Sequence, residues 1–459
     1  IIGICGTFMA GLAVLAKELG FKVSGCDAEY YPPMSNQLEA NKIECIQGFD
    51  LDNMKTYPDL WIIGNVATRG MPVIEKIISE KKNYMSGPEF LSKKILKGRC
   101  VVAVAGTHGK TTVSSIITWL LECAGLKPGF LIGGIPMNFG ISARIGNPNS
   151  PFVIEADEYD TSFFDKRSKF LHYAADYVVL NNLEFDHADI FADLEAIKRQ
   201  FHHWIRTLGQ NTVIYSNRKS DALDDVLSFG VWSKVKRFND KLQLRLDWSQ
   251  KNGGNSFQVF NGKNSLGFVD SPIYGEHNAS NFLASCGIAS EFGVSFNNIA
   301  NYFNEFKGVK RRLELIKNIS DIKIYDDFAH HPTAIKKTIE ALRNTTRKKV
   351  STAKSNRLIV VFEPRSNTLK LGHDKHRLAE SFKAADVIHV YDGSVNWDVK
   401  SAFSDLGRKV YVESKVQKIL QRLSSQVCIG DTILFMSNGD FQGILQAFVE
   451  MLDSKQVHQ

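Results

Sequence analysis

Cys100-Val-Val-Ala-Val-Ala-Gly106-Thr-His-Gly-Lys-Thr-Thr112 runs from apolar and small residues into a glycine loop and then into a helical pattern. The run Cys100–Ala105 reads as a buried strand of a parallel sheet. Ile116, Ile117, Leu120 and Leu121 recur at helical spacing behind it, and Gly125 closes the helix. A strand that feeds a glycine loop and opens a helix points successive backbone N–H groups at an anion. Gly106, Thr107, Gly109 and Thr112 supply that loop. Lys110 can reach the β- and γ-phosphates of a nucleotide, and the Thr111 hydroxyl can ligate Mg2+. The spacing is the short G-x-x-G-K-T form, because Val104 stands where the longer G-x-x-x-x-G-K-[ST] form has its first glycine. A structural glycine turn is the alternative. Lys110 itself reads as an exposed loop lysine that adds little to a core.

Working outward, two further α/β segments flank this one. Upstream, Ile1–Cys5 reads as a strand, Gly6–Gly11 as a glycine-rich turn and Leu12–Leu19 as a helix closed by Gly20. Phe21–Cys26 is a second strand that delivers Asp27, and Leu60–Gly64 and Asn83–Ser86 continue the sheet. Downstream of the glycine loop, strands are expected at Phe152–Glu155 and Tyr177–Leu180. Residues 210–275 lose the α/β rhythm and read as short β runs with Asn-Gly turns at Asn252-Gly253 and Asn261-Gly262, before a helix over Asn278–Phe292. Strands at Ile322–Tyr325, Arg357–Phe362, Val387–Tyr391, Lys409–Tyr411 and Thr432–Met436 predict a third doubly wound segment. A chain of 459 residues exceeds one hydrophobic core. The expected fold is therefore α/β in three domains: Rossmann-like over 1–98, a central P-loop-type ATPase domain over 99–316, and Rossmann-like over 317–459.

Composition narrows the function class. With 44% hydrophobic and 23% charged residues, and no run near the ~20 apolar residues of a membrane span, a soluble protein without a membrane partner is expected. The seven cysteines are scattered and contain no CxxC pair, which points to a reducing, cytoplasmic setting and away from a zinc site. The net charge of +7 carries no aromatic-interleaved basic stripe, so no nucleic-acid partner is expected, and the cluster Arg343–Lys354 reads as a solvated loop.

Three motifs surround the glycine loop. Glu155-Ala-Asp-Glu-Tyr-Asp160 crowds four carboxylates behind a strand, which favours a cation; a solvated acidic loop is the bland alternative. In Asn182-Leu-Glu-Phe-Asp-His187, Asp186 and His187 offer an oxygen and an imidazole at another strand end, a second candidate metal position. Gly3-Ile-Cys-Gly6 followed by Asp27 resembles a dinucleotide turn but lacks the G-x-G spacing. A nicotinamide-dependent oxidoreductase would leave Gly106–Thr112 unexplained, and a P-loop switch would leave the flanking segments unexplained.

Taken in order, Gly106–Thr111, Glu155–Glu158, Asn182–His187, Gly275-Glu-His-Asn278 with Asn281, Arg311-Arg312 and Tyr325-Asp-Asp-Phe-Ala-His-His-Pro332 resemble the motif series of the Mur ligases over essentially the whole chain. Tyr31-Pro-Pro-Met-Ser35, Met85-Ser-Gly-Pro88, Phe164–Phe170 and Glu363-Pro-Arg-Ser-Asn-Thr368 resemble the branch that joins UDP-N-acetylmuramate to L-alanyl-γ-D-glutamyl-meso-diaminopimelate in cell-wall recycling. The alternative is the branch that adds L-alanine to the same nucleotide sugar. The resemblance implies ATP and Mg2+ as cofactors, and a monomer or weak homo-oligomer.

It implies, further, that Lys110 and Thr111 bind the ATP phosphates and a first Mg2+ shared with Glu158. His187 would hold a second ion, and His108 would lie near the muramoyl lactyl group. His277, Asn278 and Asn281 would lie near adenine, and Arg312 near the phosphates. Gly6, Thr7, Asp27 and Ser86 would line the uridine-diphosphate site. Asn182, Tyr325, His330, Arg365, Ser366 and Asn367 would meet the remaining substrate and the peptide. Where relatives carry a carbamylated lysine, this chain has Phe201; Lys198, one turn earlier, is not assigned that role.

Overall fold

The computed structural model describes residues 1–50, 57–248, 255–347 and 356–457. In the N-terminal segment, Ser24–Asp27 pairs in parallel with Glu44–Gln47, and Trp61–Ile63 with Tyr84–Ser86. Ile2 joins the two pairs by bridging to Cys26 and Ile63. The strand expected over Ile1–Cys5 thus contracts to one bridging residue, because Gly3 takes φ of +77° and turns the chain out of extended geometry. The helix begins at Thr7, not Leu12. Gly11 lies inside it rather than in a turn: a Cβ there would meet Leu131 Cδ1 at 2.3 Å, so the missing side chain lets the helix lie against the central domain. Leu12, Leu15 and Ala16 share a core with Leu131 and Ala143 across that contact.

Val101–Ala105 lies in the middle of the ten-stranded central sheet, parallel to Phe152–Ala156 on one side and Tyr177–Leu180 on the other. The C-terminal ends of these three strands carry the glycine loop, the acidic motif and the Asn182–His187 motif, which brings the three motifs together. The α/β rhythm does not lapse at residue 210. It continues through the strand Val213–Asn217, the helix Asp221–Ser228 and the parallel strand Lys234–Phe238. That helix buries only Leu223, Val226 and Leu227 among acidic neighbours, which hides its period in the sequence. Between residues 210 and 275, antiparallel pairing among the described residues joins Leu244–Asp247, Ser256–Asn261 and Asn264–Asp270. Asn261-Gly262 makes the expected turn, with Gly262 at φ +59°; Asn252-Gly253 lies outside the described residues.

The third sheet has six strands. Ile322–Asp327, Thr432–Met436, Leu358–Phe362, Val387–Tyr391 and Val410–Glu413 run parallel, and Glu314–Ile319 pairs antiparallel at one edge. That edge strand crosses the expected division after residue 316, and its register with Ile322–Asp327 assigns it to the third sheet. Leu358, Val360 and Phe362 enter one core while Ile359 and Val361 enter the other, so the sheet is buried on both faces. Arg343, expected in a solvated loop, is buried and ion-paired with Asp386; residues 348–355 of that cluster lie outside the described residues. Among the described residues no helix is long and apolar enough to cross a membrane. All seven cysteines are free.

Candidate active site

A cleft of about 1630 Å³ runs between the three domains, with the glycine loop at its centre. Gly106 and Gly109 take φ of +142° and +81°. A Cβ on Gly109 would lie 2.6 Å from Asn181 Nδ2 and 2.7 Å from Asn281 Oδ1, so this position accepts glycine alone. The loop is clamped from below. His108 N–H donates to Asn182 Oδ1 at 2.8 Å, and its carbonyl accepts from Asn181 Nδ2 at 3.0 Å and Asn182 Nδ2 at 2.9 Å. Asn182, expected at the substrate, therefore spends its amide on the loop. Asn181 also reaches Asn281 Oδ1 at 3.0 Å, and Asn281 donates to Asn278 Oδ1 at 3.1 Å, which links the loop to the helix Glu276–Glu291. His277, on the same helix, lines the cleft; burial, then Lys337, pushes its pKa down to about 4, so it is neutral.

Lys110 is not the exposed lysine that the loop suggested. Its side chain is only 14% exposed and donates to Glu158 Oε2 at 2.8 Å, with Asp157 Oδ1 at 3.6 Å. Burial alone would lower its pKa; the two carboxylates overcome that and raise it. Lys169 meets the other Asp157 oxygen at 2.7 Å while facing the Phe8 ring of the first domain. His187 Nε2 lies 3.4 Å from Glu158 Oε1. Asp157, Glu158 and His187 each present a donor atom within 4.8 Å of the others. Thr111, expected among these ligands, lines the cleft and accepts Arg312 Nη2 at 3.2 Å, so the arginine crosses to the start of the loop helix.

Asp186, paired with His187 in the sequence reading, turns the other way. It accepts the Thr368 hydroxyl at 2.7 Å, and Asp189 accepts Asn367 Nδ2 at 2.9 Å. These two bonds tie the C-terminal domain to the loop after the strand Tyr177–Leu180. Arg365 pairs with Asp440 at 3.2 Å, and buried Ser366 caps the helix Asn367–Lys370. Arg365, Ser366 and Asn367 thus have protein partners and do not line the cleft. Ser86 is fully buried as the cap of the helix Gly87–Leu91 and also stands outside the lining. Gly6, Thr7 and Asp27 do line it; Asp27 holds the turn by accepting Cys5 N–H at 2.8 Å and Ala28 N–H at 2.8 Å. Tyr325 and His330 line the opposite wall, where burial keeps His330 below the ordinary histidine range. Lys198 faces away, bonded to Glu195 at 2.7 Å and Asp225 at 2.8 Å.

Three residues had no assigned role in the sequence reading. Asn181 is one clamp of the loop. Lys169 neutralises Asp157 from the second side. Asp327 accepts Leu313 N–H at 2.6 Å and Ala329 N–H at 2.8 Å, which orients the Arg312 segment; burial, against the nearby Arg312, pushes its carboxyl up to about 6. Asn181 and Asp327 stood beside residues that were singled out, but their direction depends on strand register.

The residues along this cleft match three family models end to end: "Mur ligase family, catalytic domain" over 1–98, "Mur ligase middle domain" over 104–289, and "Mur ligase, glutamate ligase domain" over 311–439. The chain belongs to the Mur ligase family. Mur ligases are ATP-dependent, ADP-forming ligases, so this one is an enzyme of that class. It is 44% identical, over 99% of its length and 98% of the relative's, to the UDP-N-acetylmuramate--L-alanyl-γ-D-glutamyl-meso-2,6-diaminoheptandioate ligase of Escherichia coli K12. Identity to the UDP-N-acetylmuramate--L-alanine ligase of Ligilactobacillus salivarius is 30%, over 99% of this chain and 97% of that one. Among solved structures, a murein peptide ligase from Psychrobacter arcticus superposes with a TM-score of 0.75 at 38% identity, covering 98% of each chain. The alanine ligase of Thermotoga maritima shares the three-domain fold, with a TM-score of 0.81 at 20% identity over 99% of this chain and 98% of that one.

Proposed function

We propose that this Mur ligase joins the lactyl carboxylate of UDP-N-acetylmuramate to the amine of L-alanyl-γ-D-glutamyl-meso-diaminopimelate, in the cytoplasm, as a step of peptidoglycan recycling. The observation that carries this reading is the identity of 44% to a tripeptide ligase against 30% to an alanine ligase, each over nearly the whole chain. The stretch Pro364–Leu369 supports it. Arginines in the alanine-adding branch are expected here to hold a free amino acid's carboxylate. In this chain Ser366 is spent as a helix cap, Leu369 is buried, and Arg365 is paired with Asp440. A free amino acid finds no charge clamp in that stretch, a loss of about 1.5–3 kcal/mol.

Asp157, Glu158 and His187 offer two carboxylates and an imidazole, a donor set that fits Mg2+. When bound, the ion supplies positive charge to the phosphate oxygens. The loop amides and Lys110 hold the nucleotide phosphates, Arg312 stands over the helix start, and Asn278 and Asn281 carry the adenine side of the cleft. The lactyl carboxylate, beside His108, attacks the γ-phosphorus; the bond to the ADP oxygen breaks, leaving an acyl phosphate. The peptide amine then attacks the carbonyl carbon, phosphate departs, and the amine proton is lost to solvent. The three-walled cleft holds the reacting atoms together and keeps water from the acyl phosphate. Phosphate release measured with ATP and UDP-N-acetylmuramate tests the reading: kcat/KM is expected to be far higher with the tripeptide than with L-alanine. Equal or better use of L-alanine makes this an alanine-adding enzyme instead.

A further inference from the structure

We propose that His108, Glu184 and His331 form a binding site for a zinc-class divalent cation at the junction of the central and C-terminal domains. It is separate from the Asp157–Glu158–His187 group, with which it shares no residue. Each of the three offers a ligand atom, and these atoms lie within 4.8 Å of one another. Two imidazoles and one carboxylate are the donors that zinc, cobalt and nickel favour; magnesium prefers a set in which oxygen predominates.

The outer contacts are those that hold metal ligands in place. His331 Nε2 faces the Phe185 carbonyl at 3.3 Å, which puts the proton on Nε2, and the Nδ1 lone pair accepts Thr333 N–H over a long 3.3 Å that a metal would have to displace. That lone pair lies 3.9 Å from Glu184 Oε2. Thr333 also donates its hydroxyl to Glu184 Oε2 at 2.6 Å, which leaves Oε1 facing His108 Nε2 at 3.8 Å. His108 Nε2 is buried and makes no hydrogen bond. A buried nitrogen without a partner calls for an explanation, and a cation supplies one. The two rings are 4.5 Å apart, and the His331 side chain is only 2% exposed. Donors around tetrahedral zinc, with bonds near 2.0–2.1 Å, sit about 3.3 Å apart, so atoms that lie within 4.8 Å of one another have to contract by up to about 1.5 Å. His108 and Glu184 belong to the central domain and His331 to the third. Occupancy therefore pins the two domains together at a wall of the substrate cleft, which all three residues line.

The test uses the full chain, stripped with a chelator, and titrates Zn2+ against a chromophoric competitor, with Co2+ absorbance as a second readout. The parent and His187→Ala are expected to bind one tight equivalent and to give a visible cobalt band. His331→Ala and Glu184→Gln are expected to weaken Zn2+ by more than a hundredfold and to lose the band. Thr333→Val, which removes only an outer contact, is expected to weaken it about tenfold. The proposal is overturned if the parent binds no tight zinc, if both ligand variants retain it, or if His187→Ala removes it. Metal-free melting curves qualify each protein; should His331→Ala fail to fold, the isosteric Glu184→Gln decides alone.

Discussion

Binding of Mg2+ beside Glu158 is expected to expel a proton from His187. Burial alone would lower this imidazole's pKa, but the hydrogen bond and charge of Glu158, then the charges of Asp186 and Asp157, push it up to about 9. Against an ordinary value near 6.5, that is roughly 2.5 units, or about 3.4 kcal/mol favouring the imidazolium in the metal-free protein. A histidine has to be neutral to ligate a metal. Bound Mg2+ should therefore release nearly one proton at pH 7.5, and its apparent affinity should rise about tenfold per pH unit between roughly 7 and 9, then level off. Without metal the sign reverses. A folded-state pKa above the unfolded one contributes stability that is complete below about 6.5 and lost as pH rises through about 9. The assay is calorimetry of Mg2+ into protein saturated with a non-hydrolysable ATP analogue, at several pH values between roughly 7 and 9, and at pH 7.5 in buffers of different ionisation enthalpy. Zero proton release, with a pH-independent affinity that His187→Gln does not alter, would refute the reasoning.

Lys110→Ala should abolish ATP-dependent phosphate release. It should also lower the metal-free melting temperature, because removing one partner of a buried pair costs about 3–5 kcal/mol; adding Glu158→Gln should recover part of the loss, and an unchanged melt would speak against burial of the pair. Gly109→Ala should cost at least an order of magnitude in kcat/KM for ATP, since the left-handed backbone and the contact with Asn181 and Asn281 both resist a methyl group. A nucleotide titration that overlays the parent's would count against it. Thr368→Val, which removes the hydroxyl bonded to Asp186, should lower kcat several-fold while leaving UDP-sugar binding unchanged, as isothermal titration can establish.

The three-domain α/β order and the phosphate loop were legible in the residues because both depend on local chemistry. Buried parallel strands are continuous apolar runs, as in Leu358–Phe362, and a loop that must take φ of +81° beside two asparagine side chains has to be glycine. Likewise, four carboxylates crowded into Glu155–Asp160 called for compensating positive charge, and Lys110 and Lys169 lie against Asp157. What each polar side chain faces was decided only by tertiary structure, because it depends on register between strands distant in the chain. Lys110 proved buried since Glu158 lies one parallel strand away, and Asp186 left His187 because Thr368, 182 residues on, offers it a hydroxyl. Asn182, Ser86 and Ser366 went to the clamp and the helix caps that the backbone required. The pairing of His108 with His331 has no trace in local sequence, because only the packing of the third domain on the central one brings the two rings to 4.5 Å.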